Sequence, residues 1–238
     1  MPKLGVNIDH IATLREQRKP SKVDILEALK IVESAGADGV TIHLREDRRH
    51  IQDKDVFLIK KYKKKRLNLE MSLNKEIVDI ALRTKPDSVC IVPERRKELT
   101  TEGGLDVYSQ KKRIKKVIKR LKQKKIFVSL FIAPEKKQVL SAKEVGADAV
   151  EIHTGKYADA KSVFQRRKEL QRIKRISKLV LSLGLELHAG HGLDYNNVKE
   201  IAKIKGMEEL NIGYSIVTES IFIGLEKAVK RMKNLLEE

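Results

Sequence analysis

Apolar residues along the 238-residue chain follow two alternating rhythms. Short β-branched runs cover residues 4–8, 39–44, 66–71, 88–93, 126–132, 149–153, 185–189 and 209–213. Between them, apolar positions return every three or four residues over 23–35, 53–63, 75–84, 106–122, 135–145, 161–183, 197–205 and 225–236. The first pattern suits a buried strand and the second an amphipathic helix. Eight such pairs, in a chain near the ~250 residues typical of the architecture, predict an α/β fold: one single-domain (β/α)8 TIM barrel with eight parallel strands, spanning residues 1–238. No Pro/Gly/Ser-rich linker divides it.

An internal repeat agrees with that reading. Gly36-Ala37-Asp38-Gly39-Val40 with His43 returns as Gly146-Ala147-Asp148-Ala149-Val150 with His153, half a barrel later. In each copy the Gly ends a helix in a left-handed cap and the Asp opens a short turn into the strand.

Parity within the strands shows which face carries chemistry. Thr41, His43 and Arg45 alternate with Val40, Ile42 and Leu44; Asn68, Glu70 and Ser72 alternate with Leu67, Leu69 and Met71; Glu151 and His153 alternate with Val150 and Ile152. The apolar set must face the helices, where a charged set would be buried unpaired, so the polar set faces the lumen. The lumen therefore gathers Asp9, His43, Arg45, Glu70, Glu94, Glu151 and His153, with His188 and His191 near the end of the seventh strand. Their charged members lie towards strand C-termini, where barrel enzymes keep their active sites, and they describe a proton-transfer site with an anion binder. Small residues in Ala189-Gly190-His191-Gly192-Leu193 and at Gly213, with a short helix expected over 218–223, suit a phosphate cradle. The dense run Arg45-Glu46-Asp47-Arg48-Arg49-His50 suits a second anion clamp.

Composition narrows the partners. Lys and Arg number 51 against 33 Asp and Glu, a net charge of +18, yet aromatic residues make up only 4% and Trp is absent. Few platforms exist for stacking bases, and basic residues on helical patterns interleaved with Glu suit a solvated thermophilic surface better than a nucleic-acid groove. One cysteine, Cys90, cannot form an intramolecular disulfide. With no signal-peptide pattern and no apolar run of ~18 residues, the expectation is a cytoplasmic protein outside the membrane.

Several blocks resemble the pyridoxine 5′-phosphate synthase family: residues 7–15 (NIDHIATLR), 43–51 (HLREDRRHI), 66–71 (RLNLEM), 99–106 (LTTEGGLD), 151–155 (EIHTG) and 189–193 (AGHGL). The likeness runs from residue 4 to about residue 230. It implies a barrel that condenses 1-deoxy-D-xylulose 5-phosphate with 3-amino-2-oxopropyl phosphate to pyridoxine 5′-phosphate, phosphate and water, with no metal and no organic cofactor. Carried over by position, Glu70 and His43 are proton acceptors, His191 a proton donor and Glu151 a stabiliser of cationic intermediates. Asp9, His10, Arg45, His50 and Thr100 hold the deoxyxylulose phosphate, while Asn7, Arg18, Gly192, Gly213 and Tyr214 hold the amino-ketone phosphate. The resemblance also implies a homo-oligomer built from dimers, a homo-octamer, with Arg18, in a loop after the first strand, reaching a neighbour's site. Residues 95–106 resemble the family's closing loop.

Two positions depart from the family pattern: Tyr214 where His is usual, and His188 where Asn is common. Two rival readings stand beside the synthase. One is a metal-dependent phosphosugar epimerase or aldolase using His43, His153, His188 and Glu70 as ligands; the other is a basic nucleic-acid-binding protein.

Overall fold

A computed structural model of the chain describes residues 1–18, 20–94 and 103–237. Its strands are β1 (Lys3–Asn7), β2 (Gly39–Leu44), β3 (Arg66–Met71), β4 (Ser88–Ile91), β5 (Phe127–Ile132), β6 (Ala149–His153), β7 (Glu186–Gly190) and β8 (Met207–Ile212). They pair in chain order, all parallel, and β8 closes on β1. Helices α1 (Asp9–Gln17), α2 (Ile25–Ser34), α3 (Asp53–Tyr62), α4 (Lys75–Thr84), α5 (Val107–Gln123), α6 (Lys136–Val145), α7 (Gly155–Ala158), α8 (Val163–Ser182), α9 (Val198–Ala202), α10 (Tyr214–Ile223) and α11 (Leu225–Glu237) lie between and after them. The (β/α)8 barrel expected from the hydrophobic rhythm is therefore the fold.

The periodicity misplaces several boundaries, each for a local reason. Ile8 has left the strand conformation (φ −105°, ψ 12°) to become the N-cap of α1, a helix too short and too polar for the pattern to reveal. Arg18 is thus not in a loop directly after β1; it is the exposed, extended C-cap of α1. β4 stops at Ile91, two residues before Pro93, which has no N–H to offer a ladder. Gly213 lies beyond β8 as the N-cap of α10, so the helix expected from residue 218 begins at Tyr214.

Aspartates in the loops bind the strands together. Asp38 Oδ2, just before β2, accepts from the backbone N–H of Leu4 on β1 (2.8 Å). Asp148, before β6, does the same for Val128 on β5 (2.9 Å), and Asp87, before β4, for Leu67 on β3 (2.8 Å). The repeated Gly-Ala-Asp is thus a device that ties β2 to β1 and β6 to β5, and Asp87, outside the repeat, does the same for β4 and β3. Gly36 and Gly146 sit there in the left-handed region (φ 103° and 85°), which only glycine enters without strain.

The strand parity sorts as its chemistry requires. Val40, Ile42, Leu67, Leu69, Val150 and Ile152 are buried against the helices. Thr41, Asn68, Ser88, Ser129, Glu151, His188, Glu209 and Asn211 are equally buried, but in the lumen, which is a polar network rather than layers of aliphatic side chains. Thr41 Oγ1 donates to Asn211 Oδ1 (2.7 Å), and Ser88 Oγ to Asn68 Oδ1 (3.1 Å). Gly5 makes the room: a Cβ there would lie 2.2 Å from Asn211 Oδ1.

Candidate active site

The C-terminal ends of the strands open into a cavity of about 920 Å³ whose lining includes Asn7, His10, His43, Glu70, Glu151, His153, His191, Gly192, Gly213 and Tyr214. In-register pairing of β2 with β3 puts His43 opposite Glu70. His43 Nδ1 lies 3.8 Å from Glu70 Oε2, and its Nε2 lies 3.1 Å from Glu94 Oε1. Glu94 is fixed in turn, because its Oε2 accepts the backbone N–H of Glu46 (2.9 Å). An imidazole that donates Nε2–H to Glu94 presents Nδ1 as an acceptor towards Glu70.

Burial pushes the Glu70 carboxyl well above the ordinary carboxylate range, and the charges of Asp9 and Glu151 push the same way; a hydrogen bond from Asn7 opposes them. Asp9, the first residue of α1, holds the corner together. Its Oδ1 accepts from the His43 backbone N–H (2.8 Å) and its Oδ2 from Asn7 Nδ2 (2.9 Å).

On the opposite wall, Glu151 is raised to about 7, chiefly by burial. Asn211 Nδ2 donates to it (2.9 Å), and Gly190 leaves it space, since a Cβ there would lie 2.4 Å from Glu151 Oε1. His191 adopts φ 83°, a conformation non-glycine residues seldom take. Thr154 holds it there by donating its hydroxyl towards the carbonyls of Gly190 (2.7 Å) and His191 (2.6 Å). The His191 ring stacks on His153 at 4.7 Å, and burial, aided by His191, lowers His153 to about 4.

A concave corner with the shape expected of a phosphate cradle forms where the 192–193 turn meets α10. Ser215 Oγ donates to the Leu193 carbonyl (2.8 Å), bringing the turn against the N-terminus of α10, whose first N–H groups have no partner within the helix. Tyr214 stands over it, edge-on to His10 at 5.3 Å. Gly213 is required by packing: a Cβ would lie 2.8 Å from Asn7 Cβ. Among the described residues, no Lys or Arg lines the cavity.

The other carried-over residues that are described lie off this cavity. His50 is buried with its ring centroid 6.1 Å from that of His43, and its Nδ1 accepts the Ile51 N–H (2.9 Å). Arg45 is held by Asp47 (3.1 Å) and Arg18 is exposed beyond α1. Thr100 and most of the 95–106 loop fall outside the described residues. The rival metal set is not assembled. Asp9, His43 and Glu70 can bring ligand atoms within 4.8 Å of one another, but both Asp9 oxygens already accept hydrogen bonds. His188 sits in register with Glu151, one layer below the mouth, stacked on Phe127.

The family profile described as "Pyridoxal phosphate biosynthesis protein PdxJ" matches residues 4–238. The chain belongs to the PdxJ family. Its relatives include the pyridoxine 5′-phosphate synthase of a Synechococcus strain, 53% identical over 99% of both chains. Another is that of Sulfurihydrogenibium, 54% identical over 98% of this chain and 97% of the other. Among solved structures, phosphoribosyl anthranilate isomerase from Thermococcus kodakaraensis superposes with a TM-score of 0.64 at 12% identity, covering 99% of each chain. KGPDC from Streptococcus mutans gives 0.67 at 12%, covering 100% of this chain and 98% of the other. Those two likenesses concern the barrel alone.

Within this PdxJ chain the motif-based reading did not assign Asn211, Thr154 or Phe131 to the site. Phe131 packs edge-on against His153 at 5.2 Å. Asn211 had a signal, the luminal parity of β8. Thr154 had none, because its role rests on a backbone conformation at the end of the neighbouring strand.

Proposed function

We propose that the protein is a pyridoxine 5′-phosphate synthase that joins 1-deoxy-D-xylulose 5-phosphate to 3-amino-2-oxopropyl phosphate, releasing phosphate and water. The observation that carries this reading is the convergence of Glu70, His43, Glu151 and His191 on one cavity beside a helix N-terminus. Condensing an amine with a ketone expels water and leaves an imine with an acidic neighbouring C–H. Closing and aromatising the ring then repeats one operation: a proton leaves carbon and another reaches a departing oxygen.

Glu70 is suited to the first half of that operation. A carboxyl raised by burial is a stronger base once ionised and also a competent acid, so one group serves successive transfers. His43 takes or returns the proton at Nδ1 while Glu94 orients its ring. Glu151, across the cavity, offers negative charge to a protonated imine. His191, held at the mouth, donates to the leaving oxygen. With no cationic side chain in the described lining, one substrate phosphate is held by the peptide N–H groups of Gly213, Tyr214 and Ser215, and Asn7, His10 and Gly192 complete the cradle. Asp9, Arg45, His50 and Thr100 hold the other phosphorylated substrate, and Arg18 reaches a neighbouring subunit's site. Proton transfer suffices for every step, so no cofactor is invoked.

The assembly is proposed to be a homo-octamer built from dimers, in the cytoplasm. Supporting the association, Leu14 on α1 and Ile221 and Phe222 on α10 are exposed on two helices that touch each other beside the mouth. No helix among the described residues is long and apolar enough to cross a membrane. The deciding experiment mixes purified protein with both phosphorylated substrates and follows pyridoxine 5′-phosphate by absorbance and mass; no product at high enzyme concentration would overturn the reading.

A further inference from the structure

The positive charge of this chain is not spread over it. Residues 107–182 hold 22 of the 51 Lys and Arg but only 6 of the 33 Asp and Glu, which is +16 of the total +18. The other 162 residues are nearly balanced, with 29 basic and 27 acidic. A thermophilic solvated surface carries Lys and Glu together, and the rest of the chain does so. This segment does not: α5 has no acidic residue along its whole length, so the interleaving with Glu expected from the sequence fails there.

The fold makes this segment one continuous face. α5 packs on α6 and α6 on α8, side by side on the outside of the barrel. Lys112, Lys116 and Lys119 follow one another along the solvent side of α5, and Lys168, Arg175 and Lys178 along that of α8; all six are exposed and none pairs with a described acidic residue. The helices are 17 and 20 residues long, about 25 and 30 Å; the two rows cover about 10 Å of α5 and about 15 Å of α8, and two interhelical spacings make the face roughly 20 Å across.

We propose that this face docks the phosphate backbone of duplex nucleic acid, without reading its sequence. Charge repeated along parallel rows matches a polymer with a phosphate every ~3.4 Å per strand. The rest of the surface argues against other polyanions. Exposed apolar side chains of this face, Tyr108, Val163, Phe164 and Leu181 in the end turns of α5 and α8 and Leu140 on α6, lie outside the two rows and form no helix-long apolar stripe of the kind that beds an amphipathic helix in a bilayer. The exposed rings of this segment, Tyr108 and Phe164, sit in the first turns of α5 and α8, so the rows themselves carry no series of platforms for the bases of a single strand. The face lies on the flank of the barrel, away from the strand ends, and leaves the cavity open.

The test is fluorescence anisotropy with a 24-base-pair duplex, once as DNA and once as RNA, beside a single strand and phosphatidylserine vesicles. Both duplexes should bind with micromolar affinity at 50 mM salt, and contact with about five phosphates gives a slope of log K against log salt near −4 to −5. The triple variant Lys112→Glu/Lys116→Glu/Lys119→Glu and the triple variant Lys168→Glu/Arg175→Glu/Lys178→Glu should each weaken binding at least ten-fold and flatten the slope. Lys61→Glu/Lys64→Glu/Lys65→Glu, an equal charge change elsewhere, should leave binding within two-fold. Product formation should be unchanged in all three. No binding at 50 mM salt, equal losses in all three variants, or tighter binding to vesicles or single strands than to duplexes would each overturn the proposal.

Discussion

His43 and His153 hold the same place in the two halves of the barrel, each at the end of a strand introduced by the same Gly-Ala-Asp turn, yet their surroundings are opposite. His43 pairs in register with Glu70, whereas His153 pairs with Gly190. A carboxylate at one position and a hydrogen atom at the other decide the rest. His43 is flanked by Glu70 and Glu94; His153 has an empty side into which the His191 ring stacks at 4.7 Å. The first histidine can pass a proton to an acid. The second, lowered to about 4, is a neutral wall at any physiological pH. The repeated scaffold fixes where a histidine sits, and the residue opposite it on the next strand fixes what it does.

The comparison breaks most visibly at Glu70. Replacing it with Gln keeps the shape but removes the proton acceptor, so turnover should fall ~100- to 10,000-fold with the fold intact by circular dichroism. His153→Asn, the matching change in the other half, should cost far less. Similar losses at both positions in single-turnover assays would mean the halves are not chemically distinct.

Glu151 is the next largest effect and is read in stability. Its folded-state value of about 7 lies above the ordinary 4.5, so the folded protein holds this proton more tightly than the unfolded chain. Its contribution is therefore fully present below ~4.5 and lost as pH rises through about 7. Between pH 5 and 8 the stability of the parent relative to Glu151→Gln should fall by about 2–3 kcal/mol, several degrees in Tm for a chain of this size. A pH-independent difference in urea unfolding would show that Glu151 carries no raised proton affinity.

Much of this contrast was legible in the residues. The period of two in a strand fixes which side chains share the lumen, so Glu70, His43 and Glu151 could be placed together from parity alone. Which residues face one another across strands was not legible, because register depends on the lengths and packing of the intervening loops and helices. The Glu94–His43 contact and the glycine opposite His153 emerge only from the closed barrel. The strained backbone of His191 left no mark either, since a histidine gives no sign of a left-handed conformation in the way a glycine does. α1 hid for another reason: its nine residues bury only Asp9 and Ala12, too few for a period to appear.

Glu94 sharpens the comparison at smaller cost. If it orients His43, Glu94→Gln should lower kcat about 10- to 100-fold, by analogy with the loss of the partner that orients a metal-ligating histidine, with KM little changed. The pH profile of kcat should also shift, which a merely structural role would not produce. An unchanged profile with a raised KM would make Glu94 a substrate contact instead.

The smallest effect concerns Tyr214, at the cradle both halves share. If the phosphate is held by peptide N–H groups at the start of α10, the phenol contributes little, and Tyr214→Phe should leave KM for the amino-ketone phosphate within three-fold, well under ~1.4 kcal/mol. Gly213→Val is a poor control, because its side chain would strike Asn7 before it met any ligand. A better one removes the N–H itself. Tyr214 is the first residue of α10, where proline is well tolerated because that N–H serves no bond within the helix. Tyr214→Pro should therefore keep the helix but raise KM about ten-fold beyond Tyr214→Ala, which sets the cost of losing the ring, as expected for one charge-assisted hydrogen bond. Equal KM values for the proline and alanine variants would show that the peptide does not bind the phosphate, and a large loss in Tyr214→Phe would assign that task to the phenol.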